Sequence, residues 1–406
     1  MFKKTLFFIM AGCLVGIVAC NKDGGRAWSV VYEPGTPVEV TVSVKGTPGT
    51  KVTGASYADE ARVRTLQVFV FNGDALENHR TVSESSVALV PATAGERTVW
   101  AVVNAPDIYS ALNVSESDPM TLTKLLRHVS NLGDNVYVEG SSRSASNFIM
   151  SGSKTQELVD GGNVEISVKR VVARVSIEKI SASLKDYREG YSVRVNGIYL
   201  INVPLTASYD LSQSPASWGN RLGLEKGAAY NALLCDDLSD ADPLVVVRNN
   251  VYKRNGSVIH EHEAYNPGAL SQGIYEIAEG VTLDKDNSYR MSHVFYPYPN
   301  TLGYKDARYA DPSWSTWSPR GTLLVIDATM VSDRDEDGDG RLDETSGYYP
   351  IELPAIERNK TYSIQDVKIT RLPGESPYKP IETGESKVVI EVHDWELGLD
   401  MGTIAI

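Results

Sequence analysis

Val38-Glu39-Val40-Thr41-Val42-Ser43-Val44-Lys45 decides how this chain folds. Successive side chains of a strand point to opposite faces, so the four valines share one face and Glu39, Thr41, Ser43 and Lys45 the other. The stretch is a half-buried strand. Gly46-Thr47-Pro48-Gly49-Thr50-Lys51 ends it, and a Gly/Pro cluster of this kind marks an exposed loop. Strand-like stretches recur at 64–71, 97–103, 191–202, 321–331, 348–353 and 360–370. Asn163-Val164-Glu165-Ile166-Ser167-Val168-Lys169-Arg170-Val171-Val172-Ala173-Arg174-Val175-Ser176-Ile177 is long for one strand, whose mean is about 5–6 residues. It predicts two strands in sequence, one leaving the first sheet and one entering the next, with a domain boundary at 170–173.

Helical spacing occurs once, at Leu122, Leu125, Leu126 and Val129, with Pro119 suited to the first turn and Gly133 beyond the end. A parallel α/β architecture needs helices between its strands, so a single helix argues against it. The stretch 212–316, rich in Pro, Gly, Tyr and Asn, reads as long loops on the second domain. The expected fold is mainly β, with two consecutive β-sandwich domains over 20–172 and 173–372, one short helix, long loops, and a linker with a terminal strand over 373–406. The 33 Gly, 19 Pro and 21 Tyr suit strands and turns. With 39 basic against 52 acidic residues the net charge is −13, and no basic stripe occurs, so no nucleic-acid partner is expected.

Lys3 and Lys4 precede an apolar run over 6–18, and Ile17-Val18-Ala19-Cys20 follows as a lipobox. The run is shorter than the roughly 20 apolar residues of a membrane span. Residues 1–19 are therefore expected to leave as a lipoprotein signal, with Cys20 becoming the lipidated N-terminus. Cys13 leaves with the signal, so Cys235 would be alone and no intramolecular disulfide is expected.

Asp333 to Glu344, Asp-Arg-Asp-Glu-Asp-Gly-Asp-Gly-Arg-Leu-Asp-Glu, fits a twelve-residue calcium loop. Asp333, Asp335 and Asp337 fall at positions 1, 3 and 5, Gly338 at the tight turn, Asp339 beside it and Glu344 at the last position. Gly340 stands where an apolar residue is usual, and strands rather than helices flank the loop. A bound calcium would be structural; the alternative is a solvated acidic hairpin loop. His260-Glu261-His262 lacks a third ligand and reads as an exposed polar strand or turn. Ser151-Gly152-Ser153-Lys154 matches S-x-x-K without its companion motifs. No nucleophile elbow, phosphate loop or HExxH occurs, so neither an enzyme nor a catalytic cofactor is expected.

The C-terminus alternates again, with Val388, Ile390 and Val392 on one face and Trp395 after them. Leu397, Met401, Ile404 and Ile406 keep it apolar to the end, behind the linker Pro373-Gly374-Glu375-Ser376-Pro377. Such a terminus needs a partner. It either completes its own sandwich or adds a strand to a neighbouring molecule.

These pieces together resemble the fimbrillin family, the FimA-type major-fimbrium subunits of Bacteroidales type V pili. The matching segments are the lipobox, Leu66-Gln67-Val68-Phe69-Val70-Phe71-Asn72, Val99-Trp100-Ala101-Val102-Val103-Asn104, Lys169-Arg170-Val171-Val172-Ala173-Arg174, Ile356-Glu357-Arg358-Asn359-Lys360-Thr361-Tyr362 and the tail over 388–395. The resemblance implies transthyretin-like sandwiches and export to the outer membrane as a lipoprotein. It implies a cut by a surface protease in the loop after the first strand, loss of strand 37–46, and polymerisation with other pilus subunits into a cell-surface fimbrium. Lys51 stands at the cut position, where many family members carry Arg; Arg62 and Arg64 are the alternatives. Val388, Ile390, Val392 and Trp395 correspond to the donor strand. Two other readings stay open: an anchor subunit that keeps its lipid, and a glycan-binding surface lipoprotein using the tyrosines of 289–304.

Overall fold

A computed structural model describes residues 34–46, 62–135, 137–139, 142–144, 147–216, 218–219, 221–222, 233–235, 244–247, 251–254, 257–259, 275–276, 281–290, 294–302, 321–374, 391–394 and 403–405. The first domain is built from β1 (Pro37–Gly46), β2 (Thr65–Asn72), β3 (Ala75–Ser83), β4 (Val87–Thr93), β5 (Gly95–Val103), β6 (Met150–Leu158) and β7 (Asn163–Arg170). They form one seven-stranded sheet in the order β3-β2-β5-β6-β7-β1-β4. The two edge strands, β3 and β4, are consecutive in the chain, and the sheet curls until they lie side by side. This domain is therefore nearly a barrel rather than two separate facing sheets. Curling brings the inward faces onto one core: Val38, Val40 and Val42 of β1, Leu66, Val68 and Val70 of β2, Val90 of β4, and Val164, Ile166 and Val168 of β7.

The outer face of β2 and β5 is apolar too. Phe69, Phe71, Trp100 and Val102 pack with Ile108, Met120 and Leu125. The last two come from the predicted helix region. That helix spans Leu122–Arg127, capped by Thr121, whose hydroxyl accepts from the Lys124 amide at 3.0 Å. It is shorter than the pattern suggested because His128 already has extended backbone.

His79 on β3 is stacked between Phe69 and Tyr109, with ring centroids at 4.6 and 5.0 Å. Burial holds its imidazole below the usual histidine range, against the opposing charge of Asp107. Below the ordinary value of about 6.5 the unfolded chain takes up a proton that the folded chain resists, so stability is lost as pH falls through that value. Thermal unfolding at pH 7.5 and 5.5 is expected to show a lower Tm in acid, and His79→Gln to reduce that difference.

The second domain contains β8 (Arg174–Ile177), β9 (Lys179–Ala182), β10 (Ser192–Ile201), β11 (Leu323–Val331), β12 (Glu344–Glu352), β13 (Lys360–Ile364) and β14 (Asp366–Ile369). The chain leaves the first sheet at Arg170 and enters the next at Arg174, with Val171, Val172 and Ala173 fully buried between them. β8 and β9 form one run broken at Glu178 and pair in parallel with β13 and β14, broken at Gln365. β10, β11 and β12 make an antiparallel second layer. Ile177, Ile180, Ile364 and Val367 of the first layer share one core with Ile198, Leu200, Leu324 and Ile326 of the second. The same cluster includes Phe69 and Trp100, so packing is continuous between the two domains.

Tyr296 and Tyr298 are buried in that core. The Tyr298 hydroxyl lies 2.7 Å from Ser130 Oγ and accepts from Asn135 Nδ2 at 3.2 Å. They pack between the domains and offer no open face for stacking on a sugar.

Candidate strand-exchange site

β1 lies between β4, antiparallel to it, and β7, parallel to it. Its register runs from Pro37↔Thr93 to Ser43↔Val87 on one side and from Thr41↔Asn163 to Gly46↔Val168 on the other. The Gly161 amide donates to Glu39 O at 2.9 Å and the Val44 amide to Ser86 O at 2.9 Å. Val40 and Val42 are fully buried, while Glu39 is exposed. Burying three valines contributes about 1.5–3 kcal/mol each. β1 is thus a core strand joined to the rest of its sheet across the segment 47–61. Without it, Ala88, Val90, Val164, Ile166 and Val168 would line an apolar groove between two unpaired edges, which another strand could fill.

Past that segment the chain is fixed at once. The Arg64 amide donates to Asn104 Oδ1 at 2.8 Å, Arg62 O accepts from Asn104 Nδ2 at 2.8 Å, and the Glu84 amide donates to Arg64 O at 2.7 Å. Asn104 adopts a left-handed φ of 60°, which asparagine tolerates better than most residues. Arg64 is buried, whereas Arg62 is exposed and paired with Glu84 at 3.3 Å. A protease needs an exposed, unpaired backbone, so Arg64 is poorly placed for cutting, and Arg62, although its side chain is exposed, has its carbonyl held by Asn104. Cys20 and Lys51 lie outside the described residues.

Two tail strands, β15 (Glu391–Asp394) and β16 (Thr403–Ala405), are described. β15 pairs antiparallel with β13, with Val392 opposite Tyr362, and β16 pairs in parallel with β14. Val388, Ile390 and Trp395 lie outside the described residues. The linker is fastened just before them: Tyr348 and Gly374 exchange backbone hydrogen bonds at 2.8 and 2.9 Å. A Cβ on Gly347 would stand 2.4 Å from Gly374 O, so the close approach requires glycine there.

In the acidic hairpin loop the structure brings Asp335, Asp337 and Asp339 together, with carboxylate oxygens within 4.8 Å of one another. Asp335 accepts from the amides of Gly338 and Gly340 at 2.6 and 2.7 Å, which holds its carboxyl below the usual range. Gly338 and Gly340 both adopt left-handed backbone, with φ of 78° and 88°. Asp333 and Glu344 are turned elsewhere. Asp333 lies against Gly190 and 3.2 Å from Arg334 Nε, and Glu344 forms a two-pronged pair with Arg194 at 3.0 and 2.9 Å.

Ser151 of the S-x-x-K stretch is buried and accepts from Arg358 Nη2 at 3.0 Å, a packing contact. His260-Glu261-His262 lies outside the described residues. A polar cleft of about 450 Å³ opens beside β9 and β14, lined by Lys179, Ser181, Glu189, Tyr191, Lys285 and Lys368.

The described residues form two mainly-β domains in tandem, the first holding its opening strand between two others. The family model for the major fimbrial subunit protein FimA matches residues 36–176, from β1 to β8. Major fimbrium subunit FimA type-3 of Porphyromonas gingivalis is 26% identical over 219 residues, covering 49% of this chain and 51% of that protein. FimA type-4 of the same organism is 28% identical over 202 residues, covering 47% and 50%. The chain spans about half the length of the curated relatives it matches. The crystal structure of a fimbrilin from Porphyromonas gingivalis W83 superposes with a TM-score of 0.51 at 16% identity, covering 92% of this chain and 97% of that one, a likeness of fold. These three findings support the fimbrillin family for this chain.

Proposed function

We propose that the chain is a structural subunit of a cell-surface fimbrium. It is delivered to the outer membrane as a lipoprotein on Cys20, cut in the segment 47–61 with Lys51 as the expected position, and polymerised by strand exchange. The observation that carries this reading is β1: a strand with fully buried valines, interposed between β4 and β7 and joined onward only across 47–61. The tail strand with Val388, Ile390, Val392 and Trp395 is the donor, pairing with its own β13 until a neighbour's groove opens. The relatives are fimbrial subunits, which supports a structural rather than an enzymatic part. Mixing chains that lack residues 1–46 with a synthetic peptide of residues 387–396 tests the pairing. Stoichiometric uptake supports it, and failure of the peptide to bind or to stabilise the chain contradicts it.

An anchor subunit would share this fold and keep both β1 and its lipid. A glycan binder would stay monomeric and would bind sugar with residues 387–406 deleted. The acidic loop is proposed to hold structural calcium through Asp335, Asp337 and Asp339, a charge cluster that a hard cation would relieve. Millimolar calcium is expected to raise Tm in the wild type and not in Asp337→Asn; an equal rise in both would remove calcium from the account.

A further inference from the structure

Arg358 and Asn359 join the wall of the β1 groove to the strand that carries the tail. The Arg358 guanidinium is partly buried and donates from Nε to Arg170 O at 3.0 Å and from Nη1 to Tyr209 O at 3.1 Å. From Nη2 it donates to Ser151 O at 3.3 Å, to Ser151 Oγ at 3.0 Å and to Lys169 O. β6 and β7 pair at this point, Lys169 opposite Ser151 and Arg170 opposite Met150. Asn359, at a left-handed φ of 56°, donates from its amide to Val172 O at 2.9 Å and accepts at Oδ1 from the Arg170 amide at 3.3 Å. β13 begins at the next residue, and β13 is the partner of β15.

A partly desolvated cation among carbonyl groups is held in place by the bonds it makes, since each lost bond leaves its charge less compensated. Burial lowers the Arg358 pKa to about 10, so the group stays charged at neutral pH. The junction therefore favours one arrangement of β7 against β13. β7 is also the strand that β1 pairs with along Thr41–Gly46, so loss of β1 gives it a free edge just upstream of Lys169 and Arg170.

We propose that Arg358 is a positioning residue that makes docking of the tail on β13 depend on occupancy of the β1 groove. With β1 in place, the carbonyls at the end of β7 seat the guanidinium, β13 is held and β15 stays paired. When β1 leaves, those carbonyls shift, β13 loosens, and the tail is released for donation. A coupling of this kind is physical only if both ends bias the same contact, and here that contact is one side chain. The inference rests on the strand-exchange reading.

Hydrogen exchange of the amides of 391–394 in monomeric chain tests it, before and after cleavage at an engineered protease site within 47–61 followed by removal of β1. In the wild type, removal of β1 is expected to speed exchange there by about tenfold. In Arg358→Ala it is expected to be fast already with β1 present, with no further gain on removal. Arg358→Lys, which keeps the charge and loses the fork, is expected to fall between and carries the test if Arg358→Ala does not fold. Unchanged exchange at 391–394 in the wild type after β1 removal would overturn the proposal. So would variants that lower Tm and leave tail exchange unmoved. Because the readout needs no polymer, coupled exchange in a chain that never polymerises would sink strand exchange alone. Polymerisation with an uncoupled tail would sink this proposal alone.

Discussion

Val40→Asp is expected to leave the first domain unfolded. The Val40 side chain is fully buried, facing a core of Val68, Val90 and Ile166 that offers a carboxylate no partner. Burying an unpaired charge there exceeds the roughly 4–5 kcal/mol that marks an exceptional mutation, against a total stability of about 5–15 kcal/mol for a typical domain. Thr41→Asp, one residue on and directed outward, should stay within about 0.5 kcal/mol of wild type. Chemical denaturation of both variants checks this. Equal stability of the two would mean that β1 is not a core strand. On the proposed reading, a strand this costly to lose would keep the unprocessed chain closed, and its removal would leave a groove for a replacement strand.

Deleting residues 387–406 is expected to abolish polymerisation while leaving a folded monomer. Among the described residues, β15 and β16 pair with β13 and β14 as the end strands of the first layer, so their loss removes end-strand hydrogen bonds while Ile364 and Val367 keep their places in the core shared with the second layer. A modest fall in Tm should accompany complete loss of polymer by size-exclusion chromatography and electron microscopy. Truncated chains that polymerise at the wild-type rate would assign the donor to some other segment.

β1 was legible because its two faces differ at every step from Val38 to Lys45, and period-two contrast is a local property. The break at 170–173 was legible for the same reason, as a run too long for one strand. Curling of the first sheet was not, because it depends on β3 lying beside β4, which no periodicity encodes. The parallel pairings of β1 with β7 and of β8 with β13 join residues more than a hundred positions apart and leave no local trace. In the acidic loop the sequence holds two overlapping frames, Asp333-x-Asp335-x-Asp337-Gly338 and Asp335-x-Asp337-x-Asp339-Gly340. That Arg194 pairs with Glu344 is a property of the folded chain, which the spacing does not encode. Arg358 carries no signature, since a lone arginine reads as surface until its carbonyl partners come together. Asn104 and Asn359 gave a faint sign only, as a residue type that tolerates left-handed backbone. At the tail, alternation predicted a strand and left open whose sheet it joins.

The central claim is that β1 and its lipid are discarded before assembly, and N-terminal mass spectrometry of subunits from purified surface polymer tests it most directly. The account predicts a mature N-terminus within 47–62, with β1 absent from every polymerised chain. Polymerised subunits that begin at a lipidated Cys20 and retain β1 would contradict it.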